Sequence, residues 1–199
     1  APADEATRKA FRATEERLRH QLGLDGNRRA RVTWVRPDVV HLTLKFFGDI
    51  DEATAGPLEE VISRALRGRG PVDLPLDRMG AFPRADAPRA LWIGPAESWA
   101  ASDGAVRLMA LHTAIEGACA AAGLARDEDP WRPHLTLARV RTGEREVGRA
   151  LRSTGVLERT LAIRAMPIDE VVLMKSELLP DGPTHTPLWV HRLAPGPVS

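Results

Sequence analysis

The tetrapeptide His-Leu-Thr-Leu occurs twice, at His41-Leu42-Thr43-Leu44 and at His134-Leu135-Thr136-Leu137. Each copy has an Arg-Pro pair upstream, Arg36-Pro37 before the first and Arg132-Pro133 before the second. In an extended strand alternate side chains share a face, so His41 and Thr43 point one way while Leu42 and Leu44 point the other. The same parity joins His134 to Thr136 and sets Leu135 and Leu137 behind them. Two imidazoles, each titrating near about 6.5 when unperturbed, supply one neutral base and one protonated acid at neutral pH. Two hydroxyls donate hydrogen bonds to anionic oxygens held between them. In-line displacement at a phosphodiester has these needs: one His takes the proton of the attacking oxygen, the other protonates the leaving oxygen, and the threonines hold the non-bridging oxygens. No metal is required. The spacings that bind zinc are missing too, with no His-Glu-x-x-His and a single cysteine, so no metal or other cofactor is expected.

One His-x-Thr alone would read as an ordinary core or rim histidine. Two identical copies in matching frames argue for function, the bland alternative being an internal duplication whose chemistry has been lost. The stretches Trp34-Val35-Arg36-Pro37, His41 to Gly48 and Arg132 to Arg139 resemble the two-histidine (2H) phosphoesterases. Within that superfamily they are most similar to the RNA 2′,3′-cyclic phosphodiesterases, historically called 2′-5′ RNA ligases. The resemblance continues through Gly80-Ala81-Phe82-Pro83, Ala90-Leu91-Trp92-Ile93-Gly94 and Val172 to Leu178, and so covers nearly the whole chain.

What the resemblance implies is specific. His41 and His134 form the acid and base pair, in an order left open, and Thr43 and Thr136 clamp the phosphate. Arg139 matches the family's arginine five residues past the second His, where it stabilises charge on the phosphate. Strand parity puts Arg139 on the face opposite His134, so the strand must end or bulge before it. Phe46 stands at the equivalent offset after His41 and offers a ring either for stacking on a nucleobase or for core packing. His20, His112, His185 and His191 lack the following Thr and read as non-catalytic, His185 standing where relatives often carry Tyr. Lys175 and Ser176 sit in a family-typical strand near the rim of the cleft.

The elements that position these residues are legible in outline. An amphipathic helix runs from Asp4 to Leu22, with Ala6, Ala10, Phe11, Leu18 and Leu22 at helical spacing and Gly23 as its stop. The short apolar strand with which relatives open is not seen before it. Gly23 to Arg31 is a polar loop with Gly26-Asn27 and the arginines Arg28, Arg29 and Arg31, solvated or touching an RNA backbone. Strands are expected at Val32 to Val35, Val39 to Phe47, Val72 to Met79, Ala90 to Ile93, Leu161 to Ala165, Val171 to Glu177 and Thr186 to Leu193. The last two are joined by a turn at Pro180-Asp181-Gly182-Pro183. Helices are expected from Pro57 to Leu66, from about Trp99 to Ala122 with Gly123 as cap, and from Glu144 to Leu151. The apolar stripe of the second of these is read as Val106, Met109, Ala110, Thr113, Ala114 and Gly117.

Strands and helices that do not alternate strictly, with hairpin signals late in the chain, argue for an α+β fold with antiparallel sheets. The resemblance implies two pseudo-symmetric lobes, each an antiparallel sheet with helices outside, and the two His-x-Thr strands lining the cleft between. Residues 1–193 would form that single bilobal domain and 194–199 a flexible tail. A formal net charge of +1 excludes a protein that coats polyanions generally. The lone Cys119, in an Ala-rich helix, fits a reducing compartment, and no apolar run is long enough for a membrane span, so a cytoplasmic monomer is expected.

The function expected is hydrolysis of RNA 2′,3′-cyclic phosphate ends to 2′-phosphomonoesters, with 2′-5′ ligation as the reverse reaction. The partners are RNA ends or nucleotides. Two alternatives stay open: a nucleotide- or RNA-binding module without turnover, and a phosphodiesterase for small cyclic phosphates or 2′-5′ oligonucleotides.

Overall fold

Asp4 starts helix α1 (Glu5–Leu22) by accepting a hydrogen bond from the Thr7 amide at 2.9 Å, and Gly23 ends it in the left-handed conformation at φ 58°. The fold is that of a computed structural model, which describes residues 1–24, 29–179 and 182–195. Gly26, Asn27, Arg28, Pro180, Asp181 and residues 196–199 of the expected loop, turn and tail lie outside the described residues. Phe11, Leu18 and Leu22 are buried as expected, but Ala6 is exposed and Thr7 and Thr14 complete the inward face instead.

Strands β1 (Arg31–Trp34), β2 (Val72–Leu74), β3 (Arg78–Phe82), β4 (Ala90–Gly94), β5 (Leu135–Thr142), β6 (Met166–Ile168), β7 (Glu170–Leu179) and β8 (Gly182–Arg192) pair throughout as antiparallel neighbours. They form a four-stranded sheet in the order β1-β5-β4-β3 and two-stranded ladders β2-β6 and β7-β8. With helices α2 (Glu52–Leu66), α3 (Asp103–Ala121) and α4 (Glu144–Thr154) this is an α+β fold.

Several boundaries move for physical reasons. The expected strand from Val72 to Met79 is two strands in different sheets, separated at Pro75, which has no amide to give a ladder. Residues Leu161 to Ala165 form no strand; the Leu161 amide bonds the Asp77 carbonyl at 2.7 Å and the ladder begins at Met166. Helix α2 starts a turn before Pro57, because Asp51 caps it through the Thr54 amide at 2.8 Å, and Pro57 lies inside. Ser102, accepting from the Ala105 amide at 3.1 Å, caps α3 and separates it from a short 3₁₀ segment at Glu97–Ala101.

The inward face of α3 is also a correction. Leu108, Leu111, Ile115 and Cys119 are buried, whereas Val106 and Met109 are 64% and 42% exposed. The helix is apolar on nearly every side, so periodicity alone does not select the face that packs.

The two motif copies differ in local structure. The second runs into β5, directly after His134. The first does not make the expected strand from Val39 to Phe47: His41 and Leu42 alone form bridges, to Pro2 and Leu135. Ahead of it, β1 follows β5 antiparallel until Val35, whose amide bonds the Leu137 carbonyl at 3.0 Å, and the 3₁₀ turn Pro37–Val39 then interrupts the ladder. Residues 1–3 lie alongside, the Ala3 amide reaching the Val40 carbonyl at 3.0 Å and the Leu42 amide the Ala1 carbonyl at 2.8 Å. After Leu42 the ladder ends, and the Thr43 carbonyl accepts from the Trp131 indole at 2.9 Å instead of from a neighbouring strand.

Candidate active site

The bridge between Leu42 and Leu135 sets the two copies side by side and antiparallel. Continued by one residue in either direction, that register puts His41 opposite Thr136 and Thr43 opposite His134. Leu42, Leu44, Leu135 and Leu137 are all buried. By alternation the imidazoles and hydroxyls therefore share the outer face.

Both rings are held the same way. His41 Nδ1 lies 2.8 Å from the Val39 carbonyl and His134 Nδ1 lies 2.7 Å from the Arg132 carbonyl. A carbonyl only accepts, so in each neutral ring Nδ1 carries the proton and Nε2 keeps its lone pair. Each imidazole thus offers one nitrogen that takes a proton when neutral and gives one when charged.

Burial lowers the pKa of both rings from the ordinary histidine value, by removing water from the imidazolium, while the hydrogen bonds to Val39 and Arg132 act in the other direction. The Arg139 guanidinium lowers both further, and His185 also lowers that of His41. The burial pattern of β5 puts Arg139 on the histidines' side of the sheet. The reason is a bulge. Leu91 pairs with Ala138 but Trp92 pairs with Thr136, leaving Leu137 as an extra residue in β5. Leu137 and Ala138 are consequently both buried, the alternation inverts, and Arg139 emerges on the face of Thr136.

His185, which reads from the sequence as non-catalytic, has its ring 5.4 Å from that of His41, edge to face, and its Nδ1 2.9 Å from the Ser176 hydroxyl. Ser176 and His185 are register partners across the β7-β8 hairpin. On the other side, Phe82 meets the His134 ring at 5.0 Å and stacks on Trp92 at 5.2 Å. Arg132 lies over Phe82 and Arg78 over Trp92, at 6.0 and 5.9 Å. Neither aromatic is singled out by sequence; the signal is their place in the Gly80-Ala81-Phe82-Pro83 and Ala90-Leu91-Trp92 stretches. Phe46 is 76% exposed, which removes core packing as its role.

Gly80 makes this wall possible. It pairs with Trp92, and a Cβ at Gly80 would lie 2.0 Å from Trp92 Cζ2. Gly80→Ala is expected to destabilise the protein by about 1–3 kcal/mol through overpacking. It should also move the His134 ring signals while leaving those of His41 in place; urea unfolding and histidine-selective NMR check the two halves.

Known proteins are similar to this chain over most of its length. The model of the 2′-5′ RNA ligase superfamily matches residues 8–178. The RNA 2′,3′-cyclic phosphodiesterase of Methanothermobacter thermautotrophicus is 34% identical over 164 residues, 82% of this chain and 84% of that one. The protein of the same name from Aquifex aeolicus is 28% identical over 90% of this chain and 89% of its own. Among solved structures, a protein of Thermus thermophilus superposes with a TM-score of 0.62 over 94% of each chain at 23% identity. E. coli LigT complexed with 3′-AMP gives 0.58 over 89% of this chain and 91% of its own at 22% identity, a likeness of fold. The family match runs through both His-Leu-Thr-Leu copies, and the chain belongs to the 2′-5′ RNA ligase superfamily.

Proposed function

We propose that the protein opens 2′,3′-cyclic phosphate ends of RNA to 2′-phosphomonoesters, with His41 and His134 as the acid and base pair. The observation that carries this reading is the matched pair of imidazoles on adjacent antiparallel copies, each with Nδ1 tied to a carbonyl and Nε2 left for chemistry. The relatives' shared name, RNA 2′,3′-cyclic phosphodiesterase, supports the substrate class and the assignment as an enzyme.

In the reaction, neutral imidazole at one position takes a proton from water through Nε2 as the water oxygen bonds to phosphorus. The bond from phosphorus to O3′ breaks, and the imidazolium at the other position gives that oxygen its proton. Thr43 and Thr136 donate to the non-bridging oxygens, and Arg139 offsets the charge that grows on them. Phe46 provides an exposed ring for a base. Run backwards with a 5′ hydroxyl in place of water, the same two groups form a 2′-5′ bond; water is the more abundant nucleophile, so hydrolysis dominates. Both copies come from one chain, so a monomer carries a full set. A reducing cytoplasm suits the lone buried Cys119. Among the described residues no helix is long and apolar enough to cross a membrane.

The test is product analysis of a short RNA with a 2′,3′-cyclic phosphate end, incubated in EDTA. A 2′-phosphate product, with a bell-shaped dependence of rate on pH, is the expected result. An RNA that binds and stays cyclic would overturn the proposal and favour a binding module.

A further inference from the structure

Four residues after His41 stands Lys45; four after His134 stands Ala138. Lys45 is turned inward, its side chain only 4% exposed. Its ammonium donates to Asp127 Oδ1 and to the Ala125 carbonyl, each at 2.9 Å, and forms an ion pair with Glu116 Oε1 at 2.8 Å. Burial works against the charge, but the bonds to Glu116 and Asp127 outweigh it and the Lys45 pKa is raised. Glu116 belongs to α3, whereas Ala125 and Asp127 belong to the loop that leads to the second motif.

A second link runs beside the first. His112, one helical turn before Glu116, stacks on Trp131 with ring centres 4.4 Å apart and planes within 8° of parallel. The Trp131 indole N–H donates to the Thr43 carbonyl at 2.9 Å. Trp131 is three residues before His134. Both links therefore join the first motif, at Thr43 and Lys45, to the segment that delivers the second.

His112, Glu116 and Asp127 bring their ligand atoms within 4.8 Å of one another, as metal ligands do. Here the Lys45 ammonium takes the place of the cation, ion-paired with both carboxylates. The Lys45 ammonium thus joins both carboxylates, while His112 Nε2 is buried without a hydrogen-bond partner among the described residues.

We infer that the Lys45–Glu116–Asp127 cluster and Trp131 form a brace that sets the separation of His41 and His134. These are positioning residues for the reaction proposed above, on which the inference rests. In-line transfer needs two imidazoles a fixed distance apart, and the first motif has no continuous ladder to hold it. The brace takes over where the ladder stops, at Leu42.

The test compares wild type with Trp131→Phe and Lys45→Met on an RNA with a 2′,3′-cyclic phosphate end, together with histidine-selective NMR and thermal melting. Trp131→Phe keeps the stack on His112 and removes only the N–H to Thr43. It is expected to lower kcat about tenfold, with KM within about twofold of wild type, because misplacement acts on the reacting geometry and not on binding. Lys45→Met leaves two carboxylates without their cation and should lower kcat by about a hundredfold on the same reasoning. In both variants the ring signals of His41 and His134 should move. If Trp131→Phe melts earlier but keeps wild-type kcat and wild-type histidine signals, the brace is a matter of stability only and the inference fails. Should Lys45→Met not fold, Trp131→Phe decides alone. Should the wild type not open the RNA, the proposed function fails, and the histidine signals still judge the brace.

Discussion

Alanine at His41 or at His134 is expected to lower kcat by about 10²–10⁴, the range for loss of a positioned acid or base. The loss should be in kcat with little change in KM, since in the proposed mechanism the threonines and Arg139, not the imidazoles, hold the phosphate. The double variant should be far less impaired than the product of the two single losses, because each proton transfer is useful only when the other is available. Folding should survive each change: both rings sit on the outer face, and the leucines behind them carry the packing. Each ring does release a backbone carbonyl, of Val39 or of Arg132, to solvent. Single-turnover kinetics in EDTA, with melting curves alongside, measure all three expectations. Activity within about threefold of wild type in either variant, set against that range, would remove the acid and base assignment.

The second large effect concerns Arg139. Its guanidinium acts on both histidines, so Arg139→Ala should change the rate and the pH profile together. Removing a charge donor from a developing phosphate charge typically lowers kcat by about 10²–10³. The direction of the pH effect follows from sign. Burial comes first in lowering the two pKa values, and the positive charge of Arg139 lowers them further by disfavouring imidazolium. Without that charge both pKa values rise. The acid limb of the bell, set by the group that must be neutral, moves to higher pH; the alkaline limb, set by the group that must be charged, moves the same way. The bell shifts as a unit and describes the coupled pair, not single residues. Arg139→Lys keeps the charge and loses the fork, so it should keep the wild-type bell at reduced height. A profile unmoved in Arg139→Ala would mean that the guanidinium does not reach the pair.

Arg139 marks where reading from sequence stops. Alternation within one strand puts it on the wrong face and states the condition for rescue, a bulge. The bulge exists because β4 and β5 fall out of register between Leu91 and Trp92, a property of two strands far apart in the chain and of neither alone. His185 escapes the sequence for a related reason. Its nearness to His41 is made by a hairpin and by the packing of that hairpin on the first motif, and no spacing in the chain encodes it.

Other elements divide along the same line. Helix α1 is legible at both ends because Asp4 and Gly23 act through bonds within a few residues. The inward face of α3 is not, since a helix apolar all round takes its orientation from what it meets. Val39 to Phe47 has the composition of a strand, but the Thr43 carbonyl and the Lys45 ammonium find their partners in the loop before the second motif.

By itself, then, the sequence determined the groups that can do chemistry and the face they share, because side-chain alternation, caps and the leucines behind each motif are local. The tertiary structure alone decided that the two copies lie antiparallel through Leu42 and Leu135, that Arg139 joins them, that His185, Phe82 and Trp92 flank them, and that Lys45 turns inward. Each of these depends on backbone and side-chain groups finding partners far along the chain, and such pairings are selected by the packing of the whole molecule.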